Sequence, residues 1–157
     1  MSVKKKLIIA VSWLLAVACM TVIFMLSAQN AEASAELSEE TQSFLSSLLF
    51  RFIDHNVVRK IAHFIEYCGL SFLTANACFQ TNKKFVPYLP FGISFLYCVS
   101  DEIHQFFVPG RACRLFDIGV DTGGILLGIL IFCAAAAVCG KIRKRISDRK
   151  VNKKHLS

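Results

Sequence analysis

No C-x-x-C pair occurs in the 157 residues, and the cysteine count is odd at 7. Those two absences argue against both a disulfide framework and a thiolate zinc site. Cys19, Cys68, Cys78, Cys98, Cys133 and Cys139 lie inside apolar runs and read as small packing residues; Cys113 alone falls in a loop. Charge is also scarce, at 18% of residues against 55% hydrophobic. That balance is too apolar for a soluble domain with one ordinary core and directs the reading to the membrane class. There is no internal repeat, which makes a proton-coupled carrier built from inverted halves less attractive unless copies of the chain assemble.

Four apolar runs are present. The first, Leu7 to Leu26, carries no charge over 20 residues and at ~1.5 Å rise per residue crosses a ~30 Å hydrocarbon layer. The others run from Ile61 to Phe79, Phe85 to Phe107 and Ile118 to Gly140. The expected fold is all-α, a polytopic membrane protein with a bundle of four transmembrane helices. Lys4, Lys5 and Lys6 before the first run and Ala31, Ala33 and Ala35 after it imitate a secretory signal peptide. A signal h-region covers ~7 to 15 residues; this run is longer, so it is expected to stay as a helix.

Acidic residues are nearly absent from one half of the molecule. With the N-terminus inside, the inner segments hold Lys4 to Lys6, Lys83, Lys84 and eight bases from Lys141 to Lys154, 13 of the 18 basic residues. Of the 11 acidic residues only Asp148 falls there. Basic residues flanking spans are retained in the cytoplasm, so both termini are expected there, in a multi-pass protein of a bacterial cell membrane. The chain divides into a membrane domain over residues 1–140 and a basic cytoplasmic tail over 141–157. The tail matches a juxtamembrane segment facing anionic lipid better than a nucleic-acid arm, so no nucleic-acid partner is expected.

Between the first two spans, Phe44, Leu45, Leu48, Leu49, Phe52 and Ile53 recur at helical spacing opposite Ser43, Ser47, Arg51 and Asp54. This predicts an amphipathic helix at the outer surface, lying flat or folded over the bundle as a lid.

Ionisable groups inside the apolar helices carry the most information, since charge at membrane depth costs several kcal/mol and persists where it is paired or wetted. In the second span Lys60, His63, Glu66 and Tyr67 step by three or four residues. In the third, Tyr97, Asp101 and His104 form a stripe with Glu102 and Gln105 beside it; in the fourth, Asp117, Asp121, Gly124 and Gly128 share a face. All sit toward the outer end. The Gly124-x-x-x-Gly128 spacing lets helix backbones approach closely, which would draw helix four against helices two and three, with Arg111 capping the cluster from outside.

Three blocks in these residues resemble the VanZ-like membrane proteins, a family named for a teicoplanin-resistance determinant. Lys60-Ile-Ala-His63-Phe-Ile-Glu66-Tyr67 is similar to a K-x-x-H-x-x-x-Y block. Asp101-Glu102-Ile-His104-Gln105, followed by Pro109-Gly110-Arg111, resembles the D-E-x-H-Q…P-G-R signature. Asp117 with Asp121-Thr122-Gly123-Gly124 resembles D-x-x-x-N-x-x-G, with Asp121 standing where Asn is expected. The resemblance implies an association with glycopeptide susceptibility and no particular reaction.

Three functional classes follow from the residues. The first is a binding site for a lipid-linked cell-wall precursor or another anionic ligand, drawing on Lys60, His63, Tyr67, Asp101, Glu102, His104, Gln105, Arg111, Asp117 and Asp121, with Arg59 nearby. Guanidinium and ammonium groups suit phosphate oxygens. The second is an intramembrane hydrolase or transferase acting on a lipid headgroup, with His63, Glu66, Asp101 and His104 as candidate catalytic groups able to hold a divalent metal or act as a general base. The spacing singles out neither a metal-ligand set nor a cofactor. The third is a buried ion network that orients the helices. Membrane lipids and a second copy of the chain are the remaining expected partners.

Overall fold

The computed structural model describes residues 2–28, 55–109 and 115–155. The expected amphipathic helix around residues 43–54, and Arg111 with its turn, lie outside the described residues. Within them the chain is all-helical: α1 (Val3–Ser27), α2 (His55–Asn82), α3 (Tyr88–Phe106) and α4 (Leu115–His155).

Local chemistry accounts for the boundaries. α1 has neither Pro nor Gly to interrupt it. α2 stops at Asn82 because Lys83 takes a left-handed conformation, φ 60°, and its N–H donates to the Phe79 carbonyl at 2.9 Å, closing the helix end. α3 begins after Pro87 and holds Pro90 in its first turn, where the missing N–H breaks no helical bond. α4 continues through the basic segment to His155.

Successive helices alternate in direction. The end of α1 meets the end of α3 through Ser27 and Asp101, and the start of α2 meets the start of α4 through His63 and Asp121. At the opposite end Trp13 Nε1 of α1 donates to Thr81 Oγ1 of α2 at 3.0 Å. The tightest helix pair is α2 with α4: a methyl group on Gly124 would run into the Phe64 carbonyl, and one on Gly128 into the Cys68 carbonyl and the Ser71 hydroxyl. Only glycine lets these backbones touch, as the G-x-x-x-G spacing predicts. Among the described residues the apolar cluster at the centre of the bundle is Ile23, Tyr67, Leu70, Cys98, Ile125 and Ile129.

Polarity runs inside-out. Leu14, Ile65, Leu96 and Leu130, one on each helix, are 62% to 71% exposed, whereas Asp101, Glu102, Gln105 and Asp121 are at most 4% exposed. An apolar exterior on this scale needs a non-aqueous surrounding. α1 and the Leu115–Lys141 part of α4 are long and apolar enough to cross a membrane, with mean hydropathy 2.7 and 2.4. They are also mostly unburied, unlike the core helices of a soluble protein. α3, by contrast, carries two charged residues, Asp101 and Glu102, and buries both.

Candidate functional site

The buried carboxylates Asp101, Glu102 and Asp121 gather at one end of the bundle with Ser27 and Gln105, where the last turns of α1 and α3 meet the early turns of α2 and α4. They fall into two adjoining clusters separated by the rotation of α3.

The first cluster faces α1. Asp101 Oδ2 accepts hydrogen bonds from Ser27 Oγ at 2.8 Å and Gln105 Nε2 at 3.0 Å, and Gln105 Nε2 also reaches Ser27 Oγ at 3.3 Å. Along the same face of α3, Tyr97 donates its hydroxyl to the Met20 carbonyl at 2.6 Å. His104 packs its ring against Phe24 with centroids 4.6 Å apart. The expected stripe Tyr97–Asp101–His104 is therefore present as a stripe, and its partner is helix one.

The second cluster lies among α2, α3 and α4. His63, Glu102 and Asp121 each offer a ligand atom, all within 4.8 Å of one another; His63 Nδ1 is 3.8 Å from Asp121 Oδ2. The same Oδ2 receives the Cys98 thiol at 3.6 Å. Asp121 is 1% exposed, and among the described residues its Oδ1 has no hydrogen-bond donor, nor does His63 Nδ1 have a hydrogen-bond partner. A buried carboxylate oxygen without a donor is costly and calls for a ligand or proton. A cavity of about 10 Å³ lined by Arg59, Lys60, His63, Gln105, Asp117, Val120 and Asp121 adjoins it, room for one water-sized occupant.

Cations sit around this cavity. Arg59 Nη2 lies 4.0 Å from Asp117 Oδ2, and Lys60 Nζ lies 4.4 Å from the Phe116 ring centroid, a cation–π distance. Tyr67 is fully buried, with its ring 6.5 Å from that of Tyr97. Of the four candidate catalytic groups, only His63 joins the convergent triad; Glu66 is half-buried beside it, and Asp101 and His104 face α1. Instead Glu102 takes the inward place. Sequence reasoning missed Ser27, Cys98, Phe24 and Phe116 as members of the site. Ser and Cys within apolar runs carry no signal of their own; only the alignment of α1 beside Asp101 would have found Ser27.

A family model described as VanZ/LLP1 matches residues 12–137, which takes in His63, Asp101, Glu102 and Asp121. No curated protein and no solved structure matches the chain significantly.

Proposed function

The chain belongs to the VanZ/LLP1 family, and we propose that it is a four-span bacterial membrane protein whose polar end binds the anionic headgroup of a lipid-linked envelope component. In this reading the polar end faces the outer leaflet, both termini are cytoplasmic, and binding alters susceptibility to teicoplanin-type glycopeptides. The observation that carries it is the cavity in which Arg59 and Lys60 stand at the rim of a buried acid-and-imidazole cluster. The four-span arrangement is supported by exposed large apolar side chains on all four helices. The orientation is supported by the lysines at the other end, where Lys5 faces Lys83, since such like charges are tolerated in water on the cytoplasmic side. A phosphate or pyrophosphate would meet the guanidinium and ammonium at the rim, while its lipid tails lie against the apolar exterior.

The test is expression in a glycopeptide-susceptible host. Wild type is expected to shift the inhibitory concentration of teicoplanin. Arg59→Ala with Lys60→Ala, and separately Asp101→Asn, are expected to abolish that shift at equal membrane levels. Unchanged teicoplanin binding at the cell surface on expression of the wild type would rule the reading out. A second reading, a metal-assisted hydrolase or transferase acting on a lipid headgroup, is favoured by the convergence of His63, Glu102 and Asp121. Release of a water-soluble headgroup from phospholipid vesicles by purified protein would select it.

A further inference from the structure

We propose that His63, Glu102 and Asp121 form a site for one divalent first-row transition cation, Zn²⁺ or Mn²⁺, closed on the protein side by three helices and open toward the Arg59–Lys60 cavity. The donors come from α2, α3 and α4, so a bound cation would tie the three together. One imidazole with two carboxylates is a mixed donor set that suits these ions better than Mg²⁺ or Ca²⁺, which take oxygen alone.

The ligand atoms stand wider apart than in a formed shell, and a cation would have to draw them together. Ligand atoms about 2.1 Å from Zn²⁺ stand about 3.4 Å apart in a tetrahedron; here the three atoms lie within 4.8 Å of one another and the His63–Asp121 pair at 3.8 Å. Small side-chain rotations would complete the contraction. Two features beyond the donor set point to an occupant. Asp121 is 1% exposed, and its Oδ1 takes no hydrogen bond from the described residues. The adjoining cavity, about 10 Å³, has the size of a water that would fill an open fourth position. The thiol of Cys98 donates to Asp121 Oδ2 and so helps to orient the carboxylate, as outer partners of metal ligands do.

The site stands independently of headgroup binding, which draws on Arg59 and Lys60; either can fail alone. Full-length protein in detergent is incubated with Zn²⁺ or Mn²⁺, desalted, and its metal content measured. About one equivalent is expected in the wild type and in Ser94→Ala, a mid-bundle control. Affinity is expected to fall by roughly tenfold or more in His63→Ala and Asp121→Asn, with monodisperse elution showing that they fold. Asp121→Asn puts in place the residue the family pattern carries there. No metal in the wild type, or equal metal in folded variants, overturns the proposal. Should neither variant fold, the wild-type Co²⁺ spectrum decides. Nitrogen-and-oxygen ligand-field bands support the site; a thiolate charge-transfer band or the spectrum of the free aqueous ion overturns it.

Discussion

The two ends of the bundle are built from the same four helices and present similar apolar exteriors, yet their interiors differ. At the end that holds Lys83, the interior is aromatic: Phe132 packs against Phe72, Phe79 and Phe85 with centroids 5.5 to 5.9 Å apart. Its polar contacts are neutral, such as Asn76 Nδ2 donating to Ser12 Oγ at 3.2 Å. At the other end the interior holds Asp101, Glu102 and Asp121, each at most 3% exposed. The aromatic end demonstrates that these helices can pack without buried charge. Buried carboxylates are thus a feature of one end alone, where Asp101 is hydrogen-bonded to Ser27 of α1 and Glu102 and Asp121 converge with His63.

The sharpest way to break this comparison is to attack the contact that serves both ends. Gly128→Leu would drive a side chain into the Ser71 hydroxyl and the Cys68 carbonyl, and the latter is backbone that cannot turn aside. The expected loss exceeds the ~1–3 kcal/mol usual for overpacking, and size-exclusion of detergent-solubilised protein should show the folded species gone. Phe132→Ala comes next. It empties the aromatic end, and its cost should fall at the low end of the ~3–5 kcal/mol seen for such truncations, because lipid removes most of the transfer contribution. Thermal melting would read this, while metal content at the polar end should stay as in wild type.

A smaller effect is expected from Ser27→Ala, which leaves Asp101 with Gln105 as its remaining hydroxyl or amide donor among the described residues. About 1–3 kcal/mol is the cost of removing a buried partner; a melt unchanged within error would show that Asp101 is not held as the geometry implies. Smallest is Thr74→Val. Its hydroxyl lies 3.1 Å from Ser94 Oγ midway along the bundle, and such interhelical bonds in membranes average ~0.6 kcal/mol. A large loss there would move the polar determinant of stability away from the site end and undo the contrast.

Much of this was legible in residue order. Gly124 and Gly128 announced a close helix pair, and the acids and histidines within the apolar runs were identifiable as the groups to explain. The contact that the glycines make with Phe64 and Cys68 was not legible, because spacing tells that a backbone is bare and not which helix fills the space. The same limit applied to α3. Tyr97, Asp101 and His104 share a face by periodicity, but which neighbour that face meets depends on rotation about the helix axis. The contributions of Ser27 and Cys98 were silent for a related reason: a small side chain in an apolar run becomes polar machinery only when a carboxylate is brought within 3 to 4 Å of it.

By itself, the amino-acid order determined the helical class, the two strongly apolar helices and the set of ionisable residues set among apolar runs, since these follow from composition and period. Tertiary structure alone decided the partners. Asp101 and Glu102 are adjacent in the chain, and about 100° of helical rotation sends the first to Ser27 on α1 and the second toward His63 and Asp121. Helix packing, in which the Gly124–Gly128 face brings α4 onto α2, determines which of the two carboxylates joins that cluster.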